Sequence, residues 1–185
     1  MIIAIHNTKG GVGSTTIAAH LCALGRDLGW TVDAVSADPT QELRRWLSPL
    51  DVRCIDTDSL DREATDDDGD LLVIDVQTAS SPPVGPDAWV VPVSNRLALE
   101  HATALTDRLK GRVFWIPTMS FKLTVPAYLS GVEVLPPVPY SRAIIKAASQ
   151  PATVWSDAEL ARTPGGQAMR ESLTQLLSVT LGSCG

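Results

Sequence analysis

Apolar residues fall along this chain in two alternating rhythms. Ile2 to Asn7 is a short apolar run, and beyond a glycine-rich stretch Ile17, Leu21, Leu24 and Leu28 recur at helical spacing up to Gly29. Thr31 to Ala37 reads as the next strand, Gln41 to Leu47 as a short helix and Val52 to Ile55 as a brief strand. The acidic run Asp66-Asp67-Asp68-Gly69-Asp70 is expected to form a solvated turn. Leu71 to Asp75 (LLVID) and Ala88 to Val93 (AWVVPV) are continuous apolar runs, the pattern of strands buried on both faces of a parallel sheet. Ala98, Ala102, Leu105 and Leu109 share one helical stripe, Val113 to Ile116 is strand again, and Pro117 to Pro139 is proline-rich with a last strand at Val132 to Leu135. Thr163-Pro164 has the form of an N-cap followed by proline in the first turn. Met169, Leu173, Leu176 and Leu177 give the closing helix its apolar face.

Strands alternating with helices predict a doubly wound, mainly parallel α/β sheet flanked by helices, in one domain spanning 1–185. With 44% hydrophobic and 19% charged residues, 185 residues suffice for a sizeable core. The net charge of −6 gives the whole molecule no attraction for nucleic acid or anionic membrane, so any polyanion must be met by a local basic patch. Cys22, Cys54 and Cys184 make neither a disulfide framework nor a C-x-x-C site, which suits a reducing cytoplasm. No apolar run approaches the roughly 18 residues of a membrane span, and the N-terminus lacks an export signal. His6, His20 and His101 have no metal-ligand spacing, no Ser-His-Asp set can be argued, and the histidines and the five tryptophans are expected to serve in packing.

The chemistry concentrates between the first strand and helix. Gly10, Gly11 and Gly13 allow successive backbone N–H groups to form an anion nest, and the following helix directs its positive end at the same place. Thr15 and Thr16 offer hydroxyls to Mg²⁺ and to a phosphate. A glycine-rich turn without a ligand is the plain alternative.

Lys9-Gly10-Gly11-Val12-Gly13-Ser14-Thr15-Thr16 resembles K-G-G-x-G-K-T-T, the deviant Walker A motif of the ParA/MinD family of ATPases, in which the early lysine is the distinguishing mark. Ser36-Ala37-Asp38-Pro39-Thr40 is similar to the family's D-x-D-P-Q segment, Leu72-Val73-Ile74-Asp75 to its Walker B strand, and Ala88 to Glu100 to a strand ending in proline before a helix. Val138 to Val154 resembles the stretch near which the family seats adenine. The resemblance implies a P-loop NTPase-like fold, binding of ATP or ADP with Mg²⁺, and a length like that of small plasmid-partition members. It implies that Lys9 reaches the partner's phosphates across an ATP-sandwiched homodimer, and that Thr15 binds Mg²⁺. Asp75 would hold a magnesium-bound water, Asp38 would position the attacking water and reach the metal through water, and Pro139 and Tyr140 would lie against the nucleotide. Taken alone, Asp75 reads as a strand-end carboxylate and Asp38 as the start of a turn before Pro39.

The match also has departures. Ser14 replaces the family's second lysine, Ser36 its first aspartate, Thr40 its glutamine, and Val76-Gln77-Thr78 the proline-containing turn after Walker B. A neutral hydroxyl cannot replace an ammonium whose charge-assisted hydrogen bonds to phosphate are each worth about 1.5–3 kcal/mol. Weakened triphosphate binding and a larger loss of hydrolysis are expected, unless Lys9 of the same chain or an arginine such as Arg142 supplies the charge.

Family members coat nonspecific DNA as dimers and meet a small DNA-bound, ParB-like adaptor. The candidate DNA contacts are Arg108, Lys110, Arg112, Arg142, Lys146 and Arg170, with Arg162 beside the last, set against the plain alternative of a solvated charged face. The tail from Met169 carries one arginine and gives no basic amphipathic helix for a bilayer. The expected function is a partition ATPase, cytoplasmic and nucleoid-associated when on DNA. The alternatives are a pseudo-ATPase adaptor and, without support from Lys9, a ligase of the dethiobiotin synthetase type.

Overall fold

The apolar runs become the interior of one sheet. The computed structural model describes residues 1–6, 11–36, 42–56, 69–76, 85–119, 131–149 and 152–182. Among these the strands are β1 (Ile2–His6), β2 (Val32–Ser36), β3 (Arg53–Asp56), β4 (Leu71–Val76), β5 (Ala88–Val93), β6 (Arg112–Pro117) and β7 (Val132–Val134). Their order is β3-β2-β4-β1-β5-β6-β7, and every pairing is parallel. Parallel neighbours require crossovers over the faces, and α1 (Ser14–Asp27), α2 (Glu42–Leu47) and α3 (Arg96–Thr106) lie in such connections, while α4 (Arg142–Ser149), α5 (Ala158–Ala161) and α6 (Pro164–Leu181) follow the last strand.

Alternation along each strand divides the core into two layers. Ile3 and Ile5 of β1, Val90 of β5 and Phe114 and Ile116 of β6 face α1, α2 and α6, meeting Leu21, Trp46 and Leu173. Ala4, Trp89, Val91 and Trp115 face the other way, toward Ala98, Ala102 and Leu105 of α3. β5 is buried at all six positions, as its unbroken apolar run requires.

Local signals set the ends of the helices. The Thr163 side chain accepts from Gly166 N–H at 3.2 Å and Pro164 opens α6, as the cap pattern predicts. Asn95 caps α3 through Ala98 N–H at 2.9 Å. The helix closes at Thr106, so Leu109 lies beyond it, packed from the following turn against the second layer rather than continuing the stripe. α4 and α5 are two short helices that were not among the expected elements. The buried residues of α4 are Ala143 and Ala147, whose single methyls contribute about 0.8 kcal/mol each on burial, and Ile144 is partly buried against the main core. Most of the acidic run (66–68) and the middle of the proline-rich stretch (120–130) lie outside the described residues.

Candidate functional site

The C-terminal ends of β1, β4 and β6 bring the site together. The segment after β1 reaches α1 through Gly11 (φ 78°) and Gly13 (φ 97°), both in the left-handed backbone region that a residue with Cβ occupies only at a cost. Gly13 is the N-cap of α1 and supplies no side chain to the first-turn N–H groups, which suits an anion at that end. The Thr15 hydroxyl donates to the Asp75 carboxylate at 2.8 Å. Asp75 is buried near the end of β4, level with Ile5 of β1 and Ser36 of β2. A hydroxyl and a carboxylate are hard oxygen donors, the set that Mg²⁺ takes beside phosphate oxygens. Glycine backbone, helix end and oxygen pair therefore fit a magnesium-bound nucleotide.

A cavity of about 180 Å³ adjoins the loop, lined mainly by Val12, Ile17, Val138, Tyr140, Ile144 and Met169. It is smaller than the roughly 300–1,000 Å³ of pockets that take a whole drug-sized ligand, and has room for one apolar ring system with any polar remainder outside. Its rim is built by backbone: Met119 N–H donates to Val138 O at 3.1 Å, Val138 N–H to Pro117 O at 2.8 Å, and the Thr118 hydroxyl to Val12 O at 3.2 Å. The last bond ties the phosphate loop to the end of β6. Met119 stands at φ 57°, and Tyr140 lies 64% exposed at the mouth.

His20 is buried one turn below Thr16. Val154 N–H donates to its Nε2 at 2.9 Å, which places the proton on Nδ1, donating to Thr16 O at 2.7 Å. Burial pushes its pKa down from 6.5 to about 4, partly offset by the Thr16 carbonyl, so the ring is neutral. Burial likewise pushes the Cys22 thiol up, with the nearby Cys54 and Asp75 adding to the shift.

Of the expected nucleotide contacts, Gly11, Val12, Gly13, Ser14, Thr15 and Thr16 lie at the start of α1, with Pro139 and Tyr140 across the cavity from Val12, Gly13 and Thr16. Lys9, Gly10 and Asp38 lie outside the described residues. Thr118 and Met119 join the cavity without having been singled out by sequence, Met169 was expected only on the apolar face of the closing helix, and Ile144 lies in the Val138 to Val154 stretch whose resemblance pointed to adenine.

The six basic candidates do not form one patch. Arg108 and Lys110 precede β6, at the N-terminal end of the strands and so at the end of the sheet opposite the cavity. Arg112 beside them donates to Val179 O at 2.8 Å and to Glu133 at 2.6 Å, and lies over Phe114. Arg142 and Lys146 are exposed on α4 at the cavity side. Arg170 of α6 pairs with Asp27 and covers Trp155.

A parallel sheet with a glycine loop, an uncapped helix start, a Thr–Asp pair and a cavity at the C-terminal ends of its strands defines a nucleotide-binding domain of the phosphate-loop class. The family model described as the CobQ/CobB/MinD/ParA nucleotide binding domain matches residues 3–154, and the chain belongs to that family. Solved structures repeat the fold. The cell division ATPase MinD of Pyrococcus furiosus is 14% identical with a TM-score of 0.72, over 96% of this chain and 98% of that one. The septum site-determining protein MinD of Pyrococcus horikoshii, complexed with Mg-ADP, is 15% identical with a TM-score of 0.71, over 97% and 98%. A Borrelia burgdorferi protein described as a plasmid partition protein, bound to AMPPNP, is 14% identical with a TM-score of 0.68, over 98% of each chain. No curated protein sequence matches the chain. Among the described residues no helix is long and apolar enough to cross a membrane.

Proposed function

We propose that the chain is a ParA-like positioning ATPase, a switch that binds ATP with Mg²⁺, dimerises on it and meets a DNA-bound, ParB-like adaptor. The observation that carries the reading is the 2.8 Å bond from Thr15 to Asp75 beside the glycine loop and the cavity. Bound Mg-ATP would supply the reactive phosphoryl group and its metal. Phosphoryl transfer needs positioning and charge neutralisation more than covalent chemistry. Asp75 accepts from Thr15, and with the metal bound Thr15 would offer it a hydroxyl oxygen while Asp75 would accept from a water beside it. The start of α1 receives phosphate oxygens, Lys9 supplies positive charge, Asp38 orients water, and Pro139 and Tyr140 lie on the base. DNA contact falls to Arg142 and Lys146 on one side of the molecule and to Arg108 and Lys110 on the other, since Arg112 and Arg170 are committed to carboxylates.

Ser14 favours a second reading, a pseudo-ATPase that keeps the fold as a protein- or DNA-binding adaptor. Calorimetric titration of ATP and ADP with Mg²⁺ into the protein and its Ser14→Lys variant, with phosphate release followed in parallel, separates the two. The switch reading expects measurable ATP binding that Ser14→Lys tightens by about 10- to 100-fold, the equivalent of one restored charged hydrogen bond. It also expects slow phosphate release that Asp38→Ala abolishes. Binding without any phosphate release in the native sequence leaves the adaptor, and no binding by either protein overturns the nucleotide reading.

A further inference from the structure

The cavity has two walls from distant parts of the chain. One is the start of α1, with Thr16 and Ile17; the other is α4, with Ile144, Ile145 and Ala148. α4 is anchored to the main core by Ile144 alone; its buried residues, Ala143 and Ala147, join a small cluster whose third buried member is Val154, beside the partly buried Trp155 and Leu160. Val154 in turn is held by His20, whose ring accepts its N–H at 2.9 Å and donates to Thr16 O at 2.7 Å. The imidazole is fully buried and set edge to face against Trp46 at 5.9 Å and Trp155 at 5.2 Å, so it has no freedom to turn. Trp155 is itself fixed, its indole N–H donating to Gly166 O at 3.3 Å and its face covered by Arg170.

We propose that His20 is a positioning residue: it ties α4 to α1 through Val154 and so sets the width of the cavity and the fit of the ring that enters it. The occupant's identity rests on the nucleotide reading above; the tie itself does not. The substitution His20→Leu leaves Val154 N–H without its acceptor and releases α4, whereas a glutamine places an oxygen close to the position of Nε2 and keeps the acceptor.

The test compares the native protein with His20→Leu and His20→Gln. Amide hydrogen exchange is the first readout, because it needs no ligand. His20→Leu should speed exchange in α4 by about tenfold relative to α6, the value of one lost hydrogen bond, while His20→Gln stays near the native rate. A purely structural role would raise exchange in both helices alike, and that result overturns the tie. Calorimetry with Mg-ATP and with Mg-tripolyphosphate is the second readout. Affinity for ATP should fall by about tenfold in His20→Leu, with tripolyphosphate affected far less, because the cavity holds the ring and not the phosphates. Loss of α4 protection with ATP affinity unchanged overturns the claim on fit. A native protein that binds no nucleotide defeats the nucleotide reading while exchange still decides the tie. Should His20→Leu fail to fold, His20→Asn, whose shorter amide does not reach the Nε2 position, gives the same contrast with His20→Gln.

Discussion

His20 shows how a single side chain couples chemistry to stability. The unfolded chain takes up a proton at His20 near pH 6.5 and the folded chain only near pH 4. Between those values the unfolded state binds more protons, so stability rises with pH across the window. The contribution is fully present above pH 6.5 and is lost as pH falls to 4. A shift of this size corresponds to roughly 3 kcal/mol. Denaturant unfolding followed between pH 7 and pH 4 should show that decline, and His20→Gln should flatten it. At the same scale, Thr15 and Asp75 were legible as a pair because each sits in a recognisable string of residues. His20 was not: its partner Val154 lies 134 positions away, and nothing local distinguishes a histidine holding a remote N–H from one that merely fills space.

Elements were readable where one physical rule acted alone. β4 and β5 declare themselves because burial on both faces demands unbroken apolar runs, and α6 because Thr163 and Pro164 mark its start. α4 was not picked out although RAIIKAAS separates apolar from polar positions, because two turns give the helical spacing little room to repeat, and the cavity rim at Thr118 and Met119 because it is made by strands that meet only in the folded sheet. Glycine at the head of α6 answers to a different rule, close approach. A Cβ at Gly166 would lie 2.6 Å from Leu160 O and 2.9 Å from Ala161 O, both backbone atoms that cannot step aside. Gly166→Ala should cost about 1–3 kcal/mol by overpacking and lower Tm by several degrees. Gly85→Ala meets nothing within 4 Å and should leave Tm unchanged in the same scan.

Across the whole molecule, the candidate nucleotide site lies at one end of the strands while Arg108 and Lys110 lie at the other. The proposed switch should change its assembly with nucleotide: light scattering is expected to give twice the monomer mass with Mg-ATP and the monomer mass with Mg-ADP, and a mass indifferent to nucleotide counts against the dimeric reading. The strand order carries a further consequence, for synthesis. β1 is made first yet sits between β4 and β5, and its earliest partner begins at Leu71. At ribosomal speed the first strand and helix wait on the order of ten seconds, with Ile17, Leu21 and Leu24 uncovered and Thr15 without its carboxylate. The growing chain therefore carries a phosphate loop long before it carries the carboxylate that completes the oxygen pair for a metal, and its most apolar helix is, for that interval, the natural client of a chaperone.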